Sequence, residues 1–249
     1  MSKLADAIKR AGRTIPAPLG FAAKAAPAAA PTLLCLVRLA SNEANKAEEA
    51  VKKGADAVII DGGDAGRVKE FAKKAAGALL GARPQDGERE SVSSLQQAGA
   101  DFVVLDAESG MAEALLEDNV GFVLVSREQG EDTRLRLLGD LNLDALISPA
   151  PDENLTIERL LELRRVSMLS RTPLLVEVAA DADASRLQAL RESGVAGVII
   201  DGSSLGKLAK LRETIASMPK RGHKREERGD ATVPSAASMA YHDHDDDDD

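Results

Sequence analysis

Eight short apolar segments, each followed by a helical pattern, recur along residues 32–218 and constrain the fold more than any other feature of this sequence. Consecutive segments begin about 23 residues apart, which suits a unit of one strand and one helix. In the stretches between them, apolar residues lie three or four positions apart, as they do in helices that pack on a sheet. The strands that this pattern predicts cover residues 33–39, 57–61, 78–83, 101–106, 121–126, 144–148, 173–179 and 197–201.

The number of units distinguishes a closed (β/α)8 barrel from an open doubly wound sheet, since both folds alternate strand and helix. A TIM barrel needs eight units, whereas an open sheet requires no particular number. An open sheet also usually carries a glycine-rich phosphate loop after its first strand, and the corresponding turn here, RLASNEAN, has no glycine. We therefore predict the α/β class and a single compact (β/α)8 TIM barrel with flexible N- and C-terminal extensions.

The two ends of the chain differ in composition from the barrel region and divide the chain into three parts. Residues 1–31 are a basic N-terminal segment with a Pro/Ala linker, residues 32–218 are the barrel, and residues 219–249 are a tail that ends in polyaspartate. The tail has no periodic apolar pattern, so we expect it to be disordered. Leu4, Ile8 and Ala11 share one side of a predicted N-terminal helix, which could cap the bottom of the barrel or dock on a protein partner.

Composition excludes several classes of protein. Six of the 41 acidic residues are Asp in the last eight positions, which leaves 35 acids against 32 bases and gives no reason to expect a nucleic-acid partner. The single cysteine, Cys35, excludes an internal disulfide and a cysteine-rich zinc site, and it fits a reducing cytoplasm. The longest wholly apolar run, LLCLV, is too short to cross a bilayer, and the N-terminus lacks the hydrophobic core of a signal peptide.

Three of the predicted strands, the second, fourth and eighth, end on an aspartate: Asp61, Asp106 and Asp201. Side chains on a barrel strand alternate between the lumen and the surrounding helices, and a carboxylate wedged against the helices would be buried without water. The three acids should therefore point into the mouth of the barrel, where alternate strands fill one layer, with the Ser148–Pro149 corner as a fourth contributor. Like charges at this spacing raise each other's pKa or recruit a cation, so these acids are candidate acid/base catalysts and candidate ligands of Mg²⁺.

The odd-numbered strands supply positive charge. Arg38 ends the first strand and Arg83 the third, and the fifth ends at Ser126 and Arg127. Glu177 lies inside the apolar seventh strand and needs a cationic partner, for which Arg38 and Arg83 are the candidates, unless it is protonated. The alternative to a substrate site is a cluster of ion pairs that only fills the lumen.

Several catalytic mechanisms are excluded because the predicted strands lack the residues that these mechanisms require. All three histidines, His223, His242 and His244, lie in the tail, and no lysine falls on a strand. A Schiff-base aldolase, a histidine-ligated metal centre and a Ser–His–Asp triad therefore each lack an essential group. Carboxylate acid/base chemistry and ligation of a hard cation by oxygen atoms remain.

The segment ESGVAGVIIDGSS and the turn DGSSLGK after the eighth strand resemble the corresponding part of the aldolase-type, ribulose-phosphate-binding barrels. In that superfamily a Gly-Ser turn and the N-terminus of a short helix offer backbone N–H groups to phosphate, which implies a binding role for Gly202, Ser203 and Ser204. The sequence departs from the family after the seventh strand, where AADADAS replaces a Gly-Gly pair, and Asp181 and Asp183 would repel a bare phosphate. A turn that only caps a helix is the alternative.

The residues support two hypotheses of function. In the first, the protein is an enzyme of lyase or isomerase type that acts on an anionic carboxylate or phosphate substrate. Its acid/base groups or Mg²⁺ ligands would be the three strand-end aspartates, and the substrate would be held by Arg38 and Arg83 with Glu177 beside them. In the second, it is a non-catalytic barrel whose N-terminal segment docks on a partner protein. The three acids in one layer favour the enzyme. The absence of His, Lys and Tyr from the predicted strands favours the non-catalytic barrel.

Overall fold

The centre of the molecule is a closed barrel of eight parallel strands in sequential order, as seen in a computed structural model that describes residues 2–12, 32–125, 131–148 and 154–219. The predicted fold class is therefore confirmed. The strands are β1 (Leu34–Ala40), β2 (Ala57–Asp61), β3 (Leu79–Arg83), β4 (Phe102–Asp106), β5 (Gly121–Val125), β6 (Ala145–Ser148), β7 (Leu174–Glu177) and β8 (Val195–Asp201). Their ends lie within two residues of the predicted ones. Ser126, Arg127, Pro149, the linker and the polyaspartate tail lie outside the described residues.

Helices precede the barrel, connect most of its strands and follow the last one. They are α1 (Lys3–Gly12), α2 (Ala44–Lys52), α3 (Ala65–Lys74), α4 (Arg89–Gln97), α5 (Asp132–Asp140), α6 (Ile157–Ser170), α7 (Ala184–Glu192) and α8 (Leu208–Ser217). A short 3-10 helix, Gly202–Lys207, links β8 to α8. None of the described helices is both long enough and apolar enough to span a membrane.

The connection from β4 to β5 differs from the prediction. The sequence pattern predicts an α-helix over GMAEALLED, but the segment forms a 3-10 helix, Ala112–Leu116. Turns occupy the rest of the connection: Gly110 N donates to Asp106 O, and Asn119 adopts a left-handed φ of 62°. These turns enclose residues 111–118, about two helical turns, which limits any helix in this connection to a short one.

The sheet separates two clusters of buried side chains. The outer cluster lies between the strands and the helices, and the inner cluster fills the lumen. Phe102 lies in the inner cluster against Gly81 of β3, where an added Cβ would come within 2.3 Å of the phenylalanine ring. A glycine at this position therefore makes room for an aromatic ring in a lumen otherwise filled by aliphatic residues.

The helix α1 closes the N-terminal end of the barrel, which is one of its two predicted roles. Leu4 is fully buried, and Leu4, Ile8 and Ala11 all belong to the lumen cluster. Polar contacts fix the start of the helix: Lys3 Nζ donates to Asp101 Oδ1 at 2.7 Å, and Ser2 Oγ donates to the Asp144 carboxylate. The division of the chain at residues 32 and 218 stays a prediction, but α1 contributes to the core of the barrel from outside those limits.

At the N-terminal end of the barrel, the same arrangement of hydrogen bonds joins three pairs of neighbouring strands. The strand pattern did not predict it. Asp56, Asp101 and Asp144 each stand one residue before an even-numbered strand. The Asp56 carboxylate accepts from Cys35 N at 2.7 Å while Asp56 N donates to Cys35 O at 2.8 Å, and Asp101 makes the same double contact with Leu80. Asp144 N likewise donates to Phe122 O, and its carboxylate accepts from Phe122 N. The Gly-Ala-Asp sequences before β2 and β4 were the feature of the sequence from which this arrangement could have been predicted.

Removal of the buried Leu4 side chain tests whether α1 is part of the cooperative core. We expect Leu4→Ala to lower the free energy of unfolding in urea by about 2–5 kcal/mol, because the side chain is fully buried in the lumen cluster. Asp6→Ala, at an exposed position of the same helix, is the control and should cost under about 1 kcal/mol.

The fragment of residues 32–218 should still unfold cooperatively, at a lower urea concentration than the full chain, because it loses the α1 side chains from its lumen. Equal stability of the Leu4→Ala chain and the parent would show that α1 does not occupy the barrel in solution.

Candidate active site

Of the charged residues predicted for the barrel mouth, the six that the structure describes at strand ends all face the lumen. Each lies two residues after a side chain or glycine that faces the lumen, as the alternation along a strand requires. The preceding positions are Leu36, Ile59, Gly81, Val104, Leu175 and Ile199. The strand register aligns Arg38 with Asp201 and Asp61 with Arg83.

These residues form a continuous row around the mouth, which we call the charged arc: Glu177, Asp201, Arg38, Asp61, Arg83 and Asp106, on β7, β8 and β1 to β4. The arc holds four acids and two arginines. The remaining strands, β5 and β6, place Val125 and Ile147 at the mouth, both packed against the lumen cluster. The mouth thus has a charged side and an apolar side.

Glu177 has the cationic partner that its position in an apolar strand requires. The Arg38 guanidinium donates to the Glu177 carboxylate across β8, and the two side chains are 32% and 27% exposed. Water therefore reaches both groups, and the pair is only partly desolvated. This contact fixes Arg38 and Glu177 to each other on one flank of the mouth.

Arg83 is held much more loosely than Arg38. Its guanidinium lies 3.9 Å from Asp61 Oδ1 and 4.0 Å from Asp106 Oδ2, which is the outer limit of an ion pair, and it is 39% exposed. Among the described residues it has no shorter polar contact. Arg83 therefore lies midway between two carboxylates with its hydrogen-bonding capacity unused, a geometry that can accept an anion.

Asp201 and Asp106 each use one carboxylate oxygen to shape the turn that follows the strand. Asp201 Oδ1 accepts from Ser203 N at 2.9 Å, and Asp106 Oδ1 accepts from Glu108 N at 2.9 Å. Hydrogen bonds from Ser203, assisted by the charges of Arg38 and Lys46, hold the pKa of Asp201 below its usual value. Asp201 is therefore ionised at neutral pH, and it is a poorer proton donor than an unperturbed carboxyl.

The turn after β8 has the geometry of the helix-capping alternative. Asp201 caps the 3-10 helix Gly202–Lys207 and thereby uses the N–H of Ser203. Gly202 is buried, and a Cβ there would approach Leu39 Cδ2 to 2.4 Å, so packing explains this glycine. A phosphate role for Gly202, Ser203 and Ser204 stays a prediction, and a phosphate at this turn would meet the ionised Asp201.

The two acids after β7 do not act as free negative charges. Asp181 Oδ2 accepts from Lys207 Nζ at 2.9 Å, and this contact lowers the pKa of Asp181. Asp183 caps α7 by accepting from Arg186 N at 2.7 Å. The sequence AADADAS predicted that Asp181 and Asp183 repel phosphate. One ion pair and one helix cap reduce this repulsion.

Ser148 itself does not join the layer of acids, and the other residue of the predicted Ser148–Pro149 corner lies outside the described residues. Ile147 faces the lumen, which turns Ser148 outward to the helices, where it is buried and its Oγ accepts from Arg159 Nη2 at 3.2 Å. Alternation along a four-residue strand decides this orientation.

The described residues contain no group of three or more His, Cys, Asp or Glu side chains placed to hold a metal ion. Asp61 and Asp106 flank Arg83 instead of converging on one point. A cation site formed by Asp61, Asp106 and Asp201 stays a prediction, and a cation there would have to compete with the two arginines of the arc.

A cavity of about 430 Å³ lies beyond the C-terminal ends of β2 and β3, and the sequence pattern gave no indication of it. It lies between the loops that follow β2 and β3, and its lining includes Gly62, Gly63, Asp64, Pro84 and Asp86. Its other walls come from the start of α3 and from α4, and neither Asp61 nor Arg83 lines it, so this cavity is separate from the charged arc.

The energetic coupling between Arg38 and Glu177 can be measured with a double-mutant cycle. We expect a coupling of about 1–2 kcal/mol in urea unfolding, below the cost of about 3–5 kcal/mol for breaking a fully buried pair, because both side chains retain contact with water. The variants are Arg38→Met, Glu177→Gln and the double mutant. The more exposed Glu48–Lys52 pair of α2 is the control and should give a clearly smaller coupling, since water screens it more strongly. Equal values for the two pairs would contradict a special role for the mouth pair in stability.

No protein-family model matches the sequence, and no curated protein matches it. Solved structures do share the fold. A mutant tryptophan synthase α-subunit from the hyperthermophile Pyrococcus furiosus aligns with a TM-score of 0.59 and 14% identity, over 74% of this chain and 98% of that chain. A structure of the tryptophan synthase α2β2 complex from the same organism aligns with a TM-score of 0.58 and 13% identity, over 74% of this chain and 96% of that chain. The predicted resemblance to aldolase-type (β/α)8 barrels is therefore confirmed for the fold.

Proposed function

We propose that the protein is an enzyme of lyase or isomerase type that acts on a small anionic substrate at the mouth of the barrel. The observation that carries the proposal is the position of Arg83 at the mouth of the barrel, 3.9 and 4.0 Å from the carboxylates of Asp61 and Asp106. The similarity in fold to the barrel of tryptophan synthase agrees with an enzyme but does not identify the reaction.

The loose contacts of Arg83 suit it to bind a carboxylate or a phosphate through two parallel N–H···O bonds. Such an anion would pair with the Arg83 guanidinium in place of Asp61 and Asp106, and these two carboxylates would lose their counter-ion. Asp61 and Asp106 would then be available to contact the substrate as acid/base groups.

In this mechanism one of the two aspartates removes a proton from the carbon next to a substrate carbonyl, and the other returns a proton to the product. Asp201, whose pKa is lowered, keeps its negative charge and orients the turn after β8. Arg38 and Glu177 hold each other and define the far side of the charged arc. Val125 and Ile147 would contact an apolar part of the substrate.

Exchange of hydrogen for deuterium tests the proton-transfer step by itself, whatever bond the complete reaction forms or breaks. We expect the protein to catalyse exchange of the hydrogens next to the carbonyl in at least one member of a panel of small keto acids and keto phosphates in D₂O, followed by NMR. Asp61→Asn and Asp106→Asn should each slow exchange by about 100-fold or more. Asp140→Asn, at an exposed position of α5, is the control and should leave the rate unchanged.

Arg83 is tested by binding. We expect Arg83→Met to abolish the binding of malonate and inorganic phosphate that calorimetry detects for the parent chain, because the substituted side chain keeps its bulk but donates no hydrogen bond. If no compound exchanges and no anion binds, the non-catalytic barrel becomes the better explanation of the charged arc.

A metal-assisted version of this function makes a separate prediction. If Asp61 and Asp201 hold Mg²⁺ or Mn²⁺, either ion should raise the melting temperature of a chain that lacks its last eight residues, and Asp61→Asn with Asp201→Asn should abolish that increase. The polyaspartate end must be removed because its six aspartates would bind cations unspecifically. Calorimetry that detects no cation binding to the shortened parent chain would contradict the metal site and leave the metal-free mechanism standing.

We also infer a cytoplasmic location and a small molecule, not a nucleic acid, as the ligand; composition supports both. A protein partner that docks on the N-terminal segment is less well supported. The apolar side of α1 is buried in the lumen cluster, so α1 offers no apolar surface to a partner while it closes the barrel.

A further inference from the structure

The two aspartates beside Arg83 have different neighbours on their other side. Asp61 lies next to β1, whose residue at the mouth is the other arginine of the charged arc. Asp106 lies next to the apolar side of the mouth: it pairs in register with Val125 of β5, which pairs in turn with Ile147 of β6. A molecule that binds Arg83 and extends over Asp106 therefore reaches an apolar surface, whereas one that extends over Asp61 reaches a second charge.

Asp106 is held in a fixed orientation beside Arg83. Its Oδ1 accepts from Glu108 N at 2.9 Å, and its Oδ2 is the oxygen that lies 4.0 Å from the Arg83 guanidinium. Gly110 N donates to Asp106 O at 2.8 Å, and Gly110 forms a parallel bridge with Gly87 in the loop after β3. A Cβ on Gly87 would lie 2.3 Å from Gly110 Cα, so a side chain there would separate the two loops. The loops that follow β3 and β4 are thus tied together, which keeps Arg83 and Asp106 at their present spacing.

The apolar side of the mouth offers a surface to a ligand at Val125. This residue is partly exposed and packs against the lumen cluster, and Ile147 beside it is buried. The other six strands carry a charged residue at the same level. An alkyl group that lies on Val125 would be removed from water, which favours its binding.

The charges of the arc favour a ligand with a single negative charge. Four carboxylates face two guanidinium groups, and the Arg38 guanidinium already donates to Glu177. Arg83 is therefore the arginine of the arc that can take up an anion. A second negative charge on the ligand would meet the carboxylates of the arc, so a dianion is repelled more strongly than a monoanion.

We propose that the substrate is a 2-oxo acid with an apolar chain, and that Val125 determines this specificity. The carboxylate binds Arg83, the C–H group beyond the carbonyl lies at Asp106, and the rest of the chain lies on Val125. In the proton transfer the C–H bond breaks, Asp106 takes the proton, and the electron pair moves to the carbonyl oxygen to give an enolate. Return of a proton to the carbon reverses this step. The proton transfer rests on the proposed function, whereas the preference for an apolar monocarboxylate can be measured without it.

Binding of simple carboxylates tests the preference. We expect the affinity for acetate, butyrate and hexanoate, titrated by NMR, to rise about threefold for each added CH₂ group. Adipate, which carries a second carboxylate at the end of the same six-carbon chain, should bind about 10-fold more weakly than hexanoate. An affinity that does not depend on chain length, or equal affinities for adipate and hexanoate, would overturn the proposal.

Val125→Thr tests the specificity-determining residue, since threonine has nearly the volume of valine but presents a hydroxyl group. We expect this variant to bind hexanoate about 3- to 10-fold more weakly than the parent chain and acetate equally well, and the unchanged acetate affinity shows that the mouth is intact. Val51→Thr, at a partly buried position of α2 outside the lumen, is the matched control and should change neither affinity. Parental affinity of Val125→Thr for hexanoate contradicts the role of Val125.

Deuterium exchange separates this inference from the proposed function. We expect kcat/KM for exchange to be about 10-fold higher with 2-oxohexanoate than with pyruvate, and Val125→Thr should remove most of this advantage through KM. Equal values for the two acids would leave the enzyme standing and overturn the specificity. Binding that depends on chain length without any exchange would leave the binding site standing and contradict the proton transfer by Asp106. If no carboxylate binds the parent chain, the inference and the anion site at Arg83 both fail.

Discussion

Closure of eight strands into a barrel forces alternate side chains of every strand into one narrow lumen, and the rest of the molecule follows from how that lumen is filled. Aliphatic residues and Phe102 fill its middle, where no charge could be hydrated. The lower end would remain open and apolar, and α1 closes it with Leu4 and Ile8. Charges are tolerated only at the upper end, where water enters, and all six residues of the charged arc lie there.

The two ends of the barrel use aspartate for different purposes. At the lower end, Asp56, Asp101 and Asp144 bind backbone N–H groups of the preceding odd strand, and Asp56 also accepts from Arg212 Nη1 at 2.8 Å. Burial raises the pKa of Asp56 and Asp144 in spite of these contacts. At the upper end, Asp61 remains exposed, and its one ion pair with another described residue is the distant contact with Arg83. Satisfied, buried acids serve stability, whereas an acid with unused hydrogen-bonding capacity in an open mouth can serve chemistry.

The outer surface of the barrel has a different role from the mouth. Barrel helices need one apolar face to cover the sheet, and α6 meets that need with Leu163 and Val166. The exposed Ile157, Leu161 and Met168 of α6 contribute nothing to that packing. One contact joins the two regions, because Arg159 of α6 donates to Ser148 at the end of β6.

The sequence alone determined the number and order of the strands and the direction in which their charges point. Both follow from short-range periodicity: a strand alternates with period two, a helix repeats every 3.6 residues, and eight such units close a barrel. Alternation by itself therefore assigns six charged residues to the mouth: Arg38, Asp61, Arg83, Asp106, Glu177 and Asp201. The assignment does not extend to Ser148, because β6 ends on a residue that faces the helices, whereas β2, β4 and β8 end on one that faces the lumen.

Only the tertiary structure decided which charges meet. Arg38 pairs with Glu177 across β8 and Arg83 stays between Asp61 and Asp106, because the stagger of neighbouring strands and the reach of each side chain fix these distances. The neutralisation of Asp181 by Lys207, 26 residues away, likewise depends on how two loops fold back on one end of the barrel. Periodicity reports which side of an element a residue occupies, whereas partners, distances and cavities arise from the packing of elements that are distant in the chain.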